Sequence, residues 1–222
     1  MDTRQQEFPI DLGPKTTPHP APYTSSIIAL LYDVVPNEGV FLDPFGGIGG
    51  ITTYIPNIIA GELMAKWAIR GCQLQHDALR LPFATNSLDG IVTSPTYGNR
   101  MGDHGDYNID SDRRSYQSFY GEDLPNTNTG RYNWGAQYQL LHTLAWIECT
   151  RVVKPGGLFY LNISDHIRNG QVIPVSDWHI ETLKSLMWEQ VGTFRIETPR
   201  FKKGANHEAR VDHESLIIFR LL

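Results

Sequence analysis

Residues 40–50 constrain the fold more than any other stretch of the chain. They form a short apolar run that ends in an acid and continues into a cluster of glycines, in the order Val-Phe-Leu-Asp-Pro-Phe-Gly-Gly-Ile-Gly-Gly. The apolar run predicts a buried strand over 40–42. Glycines directly after a strand keep side chains away and let a ligand approach backbone N–H groups. The stretch therefore predicts an α/β sheet with a ligand-binding turn after its first strand.

Composition limits the class of protein. With 222 residues, 41% of them hydrophobic, the chain is long enough for one buried core, and we expect a single domain over 1–222. The formal net charge of −5 gives no global positive field that would attract a nucleic acid. Cys72 and Cys149 lie far apart and form no Cys-x-x-Cys pair, which favours a reducing cytoplasm and disfavours structural zinc. We expect no signal peptide and no membrane span.

Apolar runs and helical periods alternate along the chain. Helices are predicted over 27–35, 64–70, 136–153 and from Asp177 onward. Strands are predicted over 40–42, 58–62, 72–76, 90–92, 158–163, 193–197 and 215–221. This alternation predicts a mostly parallel sheet whose last two strands form an antiparallel pair. Residues 1–18 are expected to be a flexible arm, and the irregular stretch 98–135 a long substrate loop or lid.

Acids close the first three predicted strands. Asp43, Glu62 and Asp77 each follow an apolar run, and the carboxyl ends of parallel strands face the same crevice. One carboxylate there can accept both hydroxyls of a ribose and another can accept an adenine amine, which favours an adenosine-containing cofactor. A nicotinamide site is disfavoured, because a Gly-x-Gly-x-x-Gly fingerprint beginning at Gly47 would need glycine where the chain has Thr52.

Two motifs carry a resemblance to a known family. Residues 43–49 resemble the Asp-Pro-Phe-x-Gly-x-Gly cofactor motif of S-adenosylmethionine-dependent amino-methyltransferases, and residues 93–97, Thr-Ser-Pro-Thr-Tyr, are similar to the Ser-Pro-Pro-Tyr variant of their catalytic tetrapeptide. His19-Pro20-Ala21 resembles the segment that precedes the cofactor motif in this family. The runs 77–89 and 154–157 are similar to widespread features of class I methyltransferases. Together the matches cover the chain from residue 19 onward, in the family's order.

The resemblance implies a Rossmann-like class I methyltransferase fold, with a mostly parallel seven-stranded sheet, an antiparallel last strand and helices on both faces. It implies S-adenosylmethionine as cofactor and no metal. The residues that would bind the cofactor are Asp43, Phe45, Gly47, Gly49, Glu62, Asp77 and Ala78. The sequence departs from the family at Thr96, which replaces the second proline of the tetrapeptide, and in that no separate target-recognition domain follows the last predicted strand.

The tetrapeptide suits the methylation of an exocyclic amine on a nucleobase. The lone pair of such an amine is delocalised into the ring, so accepting hydrogen bonds from its N–H groups favours the pyramidal nitrogen that attacks a sulfonium methyl. The expected catalytic residues are Ser94, whose hydroxyl accepts, Pro95, whose carbonyl accepts, and Tyr97, which would stack on the base. A base in a duplex must first leave the helix.

The target base is less constrained than the chemistry. The resemblance associates this tetrapeptide mainly with N4 of cytosine, so we favour cytosine N4 in DNA, and DNA over RNA as partner. Adenine N6, guanine N2 in RNA, a protein glutamine amide and a cofactor-binding pseudoenzyme stay open. We expect a cytoplasmic protein, nucleoid-associated if DNA is the substrate, and a role in restriction-modification. The oligomeric state and an endonuclease partner are left open.

Further side chains are candidates for substrate contact. Basic and aromatic residues interleave in the long loop, which suits a nucleic-acid strand, with a folded lid as the alternative. A second basic cluster lies between the last two predicted strands. The expected substrate-binding residues are Thr96, Arg100, Asn162, Lys202 and Lys203. The scattered histidines at 166, 179, 207 and 213 are expected at the surface.

Overall fold

The computed structural model describes residues 23–99, 123–198 and 211–222. The helices are α1 (Ser25–Val34), α2 (Ala65–Ala68), α3 (Ala136–Val152) and α4 (Val175–Ser185), with 3₁₀ turns at Gly50–Thr53 and Thr129–Arg131. The strands are β1 (Phe41–Asp43), β2 (Ile58–Glu62), β3 (Leu74–Gln75), β4 (Leu88–Thr93), β5 (Val153–Ile163), β6 (His166–Arg168), β7 (Gln171–Ile173), β8 (Trp188–Glu197) and β9 (His213–Leu221). The predicted arm at 1–18 lies outside the described residues.

Seven strands form one sheet in the order β3-β2-β1-β4-β5-β9-β8. Strands β1 to β5 pair in parallel, and β9 runs antiparallel to both β5 and β8. The predicted sheet, with its antiparallel last strand, is confirmed. A separate two-stranded hairpin, β6-β7, was not predicted; each of its strands has three residues, which is too short for a clear period-2 pattern.

The sheet buries apolar side chains on both faces, because successive residues of a strand point to opposite sides. On β5, Phe159 and Leu161 belong to a core cluster covered by α3 and α4, whereas Tyr160 belongs to a second cluster covered by α1. The same alternation separates Leu42 from Phe41 on β1. Helices therefore lie on both faces, as expected.

Helix α1 begins at Ser25, two residues before the predicted start at residue 27. The Thr24 side chain accepts a hydrogen bond from the Ile27 amide, which satisfies one of the amides that the first helical turn leaves unpaired. Ile27 and Leu31, four residues apart, are fully buried against the sheet. The helix thereby fixes the chain segment that enters β1, and it places Tyr23 beside the carboxyl end of that strand.

The turn after β1 is shaped by steric contact. Gly49 has a φ of +72°, and a Cβ added there would lie 2.3 Å from the Gly71 carbonyl oxygen. A Cβ on Gly46 would lie 2.9 Å from the Ala60 Cβ. The glycine turn therefore packs against β2 and the loop after α2 more closely than any side chain permits. After the glycines the chain forms the 3₁₀ turn Gly50–Thr53.

Replacing Gly49 by alanine is expected to lower the free energy of unfolding by about 2 kcal/mol or more. The positive φ is unfavourable for a residue with a Cβ, and the new atom would overlap the Gly71 backbone. In a chain of this length the change corresponds to a fall in Tm of roughly 4–8 °C, measured by thermal denaturation.

Gly50→Ala is the matched control, because a Cβ on Gly50 meets nothing within 4 Å. Its expected effect is within about 0.5 kcal/mol. Equal melting temperatures for the two variants would contradict this account of the turn.

Candidate functional site

The site lies where the strand order reverses. The chain leaves β1 toward β2 and β3 and then returns to β4 on the other side of β1, which opens a crevice at the carboxyl ends of β1 and β4. The last residues of these strands are Asp43 and Thr93, and the Thr93 hydroxyl donates to Asp43 Oδ1 over 2.7 Å. This bond joins the predicted cofactor motif to the predicted catalytic tetrapeptide.

Asp43 is a fully buried carboxylate with three donors. Besides Thr93, the Phe45 amide donates to Oδ1 at 3.1 Å and the Tyr23 hydroxyl donates to Oδ2 at 3.1 Å. Burial raises the pKa of Asp43 to about 6, although these hydrogen bonds favour the charged form. The site therefore holds an anion that its surroundings leave incompletely stabilised, which suits a cationic ligand.

Tyr23 is a site residue that the sequence analysis missed. Its hydroxyl donates to Asp43 Oδ2 and lies near the Ser94 backbone. Burial, together with the Asp43 carboxylate, raises the pKa of Tyr23 well above its usual value, so the hydroxyl keeps its proton. Its position directly after the His-Pro-Ala segment was the available signal, but a lone tyrosine there has no distinctive pattern.

Glu62 occupies the other side of the glycine turn. Its carboxylate accepts from the Gly47 amide at 3.2 Å and from the Met64 amide at 2.9 Å. Burial raises the pKa of Glu62 to about 7. The amides of Gly46 and Gly49 also donate to protein carbonyls, at 2.8 Å each. The glycines therefore contribute close approach at this turn, and the amides of Gly46, Gly47 and Gly49 serve internal bonds.

The remaining predicted cofactor residues lie on the same side of the sheet edge. Asp77 follows β3 by two residues, and its Oδ1 accepts from the Leu79 amide at 2.9 Å. Ala78 is buried in the core cluster beneath the loop. The Phe45 ring stacks on His142 and meets Trp146 edge-on, which fixes the start of the glycine turn against α3.

A second network joins the tetrapeptide to the far strands of the sheet. Ser94 Oγ lies 3.0 Å from the Tyr97 hydroxyl, and that hydroxyl donates to Glu214 Oε2 at 3.2 Å. Asn162 Nδ2 lies within 3.2 Å of Ser94 Oγ, within 3.0 Å of Tyr97 Oη and 2.8 Å from Glu214 Oε2. Glu214, on β9, was not singled out from the sequence, because only the pairing of β9 with β5 brings it here.

Asn162 carries an acceptor without a partner. Its side-chain Nδ2 is held by the network, while its Oδ1 is buried and makes no hydrogen bond. Leaving a buried carbonyl oxygen unpaired costs about 1–3 kcal/mol. The nitrogen of the same amide lies 3.2 Å from Ser94 Oγ, so this unpaired oxygen is close to the tetrapeptide. It is suited to a donor supplied by a ligand.

A third chain of hydrogen bonds holds the Thr96 backbone. The Trp146 indole can only donate, so its bond to His179 Nδ1 leaves the proton of His179 on Nε2. That N–H donates to the Tyr138 hydroxyl, which in turn donates to the Thr96 carbonyl at 2.7 Å. The Thr96 hydroxyl also donates to Thr129 at 3.2 Å. Hydrogen bonds thus hold the position where the family has a proline.

The prediction that His179 lies at the surface is wrong. Helix α4 begins at Val175, and Val175, His179 and Leu183 form its buried face, with His179 fully buried. Burial lowers the pKa of His179 well below its usual value, so the ring is neutral and acts as a fixed donor and acceptor.

The described end of the long loop packs onto the tetrapeptide. The Trp134 amide donates to the Gly98 carbonyl at 2.7 Å, and its ring contacts Tyr138 and Trp178. Arg131 donates to the Leu124 carbonyl. In residues 123–135 these basic and aromatic side chains thus hold the loop itself. The predicted substrate residues Arg100, Lys202 and Lys203 lie outside the described residues.

The arrangement can hold a cationic, adenosine-like ligand beside a hydrogen-bonding acceptor loop. Asp43 and Glu62 supply buried negative charge at either side of a turn that admits no side chain, and both oxygens of Glu62 retain lone pairs for hydroxyl donors. Within the described ranges, no three His, Cys, Asp or Glu side chains form a group that could hold a metal ion. The helices described there include none long and apolar enough to cross a membrane.

Comparisons by sequence and by structure differ in outcome. No protein-family model matches the chain, and no curated protein matches its sequence. Solved structures match it: a possible histamine N-methyltransferase of Thermotoga maritima is 15% identical with a TM-score of 0.52, covering 88% of this chain and 87% of that chain. A S-adenosylmethionine-dependent methyltransferase of Methanosarcina mazei is 12% identical with a TM-score of 0.55, covering 87% and 97%.

A third match is the [4+2]-cyclase SpnF, 12% identical with a TM-score of 0.54, covering 88% of this chain and 80% of that chain. At these identities the matches show the fold alone, and they confirm the expected Rossmann-like methyltransferase fold. Since one of these structures is named a cyclase, the fold by itself does not fix the reaction.

Tyr138→Phe is expected to destabilise the protein by about 1–3 kcal/mol, measured by chemical denaturation. The substitution leaves the Thr96 carbonyl and the His179 N–H without the hydroxyl that joins them, in a buried position. Tyr132→Phe is the matched control, because its hydroxyl bonds the Asn126 carbonyl at an exposed position. A loss of unfolding free energy in Tyr138→Phe no larger than that in Tyr132→Phe would contradict the role of these hydrogen bonds.

Asp43→Asn is expected to make the protein more stable at pH 8. A carboxyl whose pKa rises from its ordinary 3.8 to about 6 on folding takes up a proton on folding between these pH values, so stability falls as the pH rises through that range. The full cost, up to about 3 kcal/mol, is present above pH 7 and absent in Asn. Unfolding free energies measured at pH 5 and pH 8 test this.

The difference between Asp43→Asn and the wild type should fall at pH 5 to about half of its pH 8 value, because the folded carboxyl is protonated there while the unfolded one is still ionised. Asp33→Asn, at an exposed position of α1, is the control and should leave the pH dependence unchanged. A stability gain for Asp43→Asn that is equal at both pH values would contradict the assignment to ionisation.

Proposed function

We propose that the protein transfers a methyl group from S-adenosylmethionine to an exocyclic amine of a nucleobase, cytosine N4 in DNA being favoured. The observation that supports this most is the bond between Thr93 and Asp43, which places the predicted cofactor acid next to the predicted amine-binding tetrapeptide. The fold is that of class I methyltransferases, and its switch-point crevice is where such sheets bind ligands.

The residues proposed to hold the cofactor fit its chemistry. Asp43 would accept from the methionine ammonium, Glu62 from the ribose hydroxyls and Asp77 from the adenine amine. Phe45, Gly47, Gly49 and Ala78 would line the pocket. S-adenosylmethionine supplies an electrophilic methyl on a cationic sulfur when bound. The raised pKa of Asp43 and that of Glu62 support a cationic ligand, because positive charge would stabilise both ionised carboxyls.

Ser94 and Pro95 are proposed to accept the two N–H groups of the amine. The Ser94 hydroxyl has two lone pairs, and the contact from Asn162 uses at most one of them. The unpaired Oδ1 of Asn162 supports a third acceptor close by. Drawing both N–H groups into hydrogen bonds would favour a pyramidal nitrogen, and the fixed Thr96 carbonyl would keep the loop in position.

The choice of cytosine N4 rests on the resemblance of the tetrapeptide to Ser-Pro-Pro-Tyr. An adenine N6, a guanine N2 in RNA or a glutamine amide presents the same –NH₂ group and would fit the same acceptors. Tyr97 is proposed to contact the base, with Thr96, Arg100, Asn162, Lys202 and Lys203 completing the substrate site. With a DNA substrate, the protein would be a DNA-binding modification enzyme, and it could act together with a restriction endonuclease.

The proposal is tested by transfer of labelled methyl groups to a panel of DNA, RNA, glutamine peptides and small amines, followed by nucleoside mass spectrometry. The expected product is N4-methylcytosine in DNA. Ser94→Ala should lower the rate by about 10²-fold or more while binding of S-adenosylmethionine, measured by calorimetry, changes little, because the hydroxyl is proposed to contact the amine alone.

Ser26→Ala, on the exposed face of α1, is the control and should retain the wild-type rate. Binding of the cofactor without transfer to any acceptor would favour the pseudoenzyme. Transfer to small amines but to no nucleic acid would overturn the nucleobase assignment.

A further inference from the structure

Glu214 ends a hydrogen-bonded chain whose direction can be worked out. Tyr97 donates its single hydroxyl proton to Glu214 Oε2. The 3.0 Å contact between Ser94 and Tyr97 must then run from the Ser94 O–H to Tyr97 Oη. Ser94 Oγ is therefore left with lone pairs, as an amine N–H requires. Both hydroxyl protons of this hydrogen-bonded series therefore point toward Glu214.

Asn162 reinforces this direction. Its Nδ2 donates to Glu214 Oε2 at 2.8 Å, the shortest of its three contacts. The amide nitrogen therefore faces the carboxylate and the Oδ1 faces elsewhere, without a partner. Glu214 is 8% exposed, so the residue is nearly withdrawn from water.

Methylation of an amine creates the need for such a chain. A new N–C bond forms from the nitrogen lone pair, and the S–C bond of the sulfonium donor breaks with its electron pair left on sulfur. The sulfur becomes neutral and the nitrogen acquires the positive charge. The methylated nitrogen of a former –NH₂ group then carries two protons, and it must lose one to give the neutral product.

We propose that Glu214 is the terminal acceptor for that proton, through Ser94 and Tyr97, a role that rests on the proposed function. The amine proton passes to Ser94 Oγ, the Ser94 proton passes to Tyr97 Oη, and the Tyr97 proton passes to Glu214. The amine ends neutral, the two hydroxyls are restored and the carboxylate ends protonated. It returns its proton to solvent between turnovers. Glu214 acts through two other residues and is therefore a positioning residue as well.

The test compares single-turnover methyl transfer by Glu214→Gln, Tyr97→Phe and the double variant. Gln keeps the shape of Glu but is no proton acceptor, so the rate should fall about 100-fold, whereas KM and the affinity for S-adenosylmethionine should stay within about twofold. Tyr97→Phe interrupts the same chain, so the double variant should be no slower than the slower single variant.

Glu189→Gln is the matched control, because Glu189 is an exposed residue of the edge strand β8 and should be replaceable without effect. If Glu214→Gln melts far below the wild type, the single-turnover rate of Tyr97→Phe alone tests the relay, since this variant leaves the Glu214 carboxylate in place.

A readout independent of turnover uses ¹³C NMR of protein labelled at tyrosine Cζ. The Tyr97 signal, identified by its loss in Tyr97→Phe, should move in Glu214→Gln toward the value of a solvent-exposed tyrosine, because donation to a carboxylate is lost. If the Tyr97 signal does not move, or if Glu214→Gln transfers methyl groups as fast as an active wild type, the relay is overturned and the proposed function is not. A wild type that methylates no acceptor overturns the proposed function and the relay with it.

Discussion

The hydrogen bond from the Thr93 hydroxyl to the Asp43 carboxylate ties together the two strands between which the crevice opens. It forms because β1 and β4 are neighbours although 44 residues separate the end of one from the start of the other, with β2 and β3 built in between. The bond lies at full burial, where an unpaired carboxylate would be costly. The geometry of the glycine turn and of the tetrapeptide both depend on this contact.

Asp43 is thus held at some expense to the fold. Its pKa of about 6 means that the buried position stabilises the charged form less well than water does. Glu62, with a pKa of about 7, repeats the arrangement on the neighbouring strand. Two such carboxylates beside one turn lower the stability of the fold. They are consistent with preorganised negative charge, because a bound cation would stabilise both ionised groups.

The sequence predicted the local elements well where the period was clear. Strand β2 was predicted over 58–62 and lies there, and α1, predicted over 27–35, lies at Ser25–Val34. These features depend on neighbouring residues along the chain. Helix α4 was placed two residues late, from Asp177 in place of Val175. His179 was wrongly expected at the surface, although it lies four residues before Leu183 and therefore on the same face of this helix.

Long-range contacts within the site could not be predicted in the same way. Glu214 reaches Asn162 because β9 runs antiparallel to β5, and no local pattern encodes that register. Tyr23 reaches Asp43 through the docking of α1 on the sheet. The predicted cofactor and catalytic motifs named residues at the ends of strands, where the topology rule applies. Their hydrogen-bonding partners on other elements became visible only in the folded chain.

Ser94 is the residue at which the two networks meet. Its backbone lies next to the Tyr23 hydroxyl, which donates to Asp43, whereas its own hydroxyl belongs to the network that ends on Glu214. Each network ends on a nearly buried carboxylate, and each supplies only donors to that carboxylate. A cation at Asp43 and an amine at Ser94 would therefore be held through one residue whose backbone and side chain are fixed separately. In the proposed relay, this division would let the serine hydroxyl pass on a proton without disturbing the backbone.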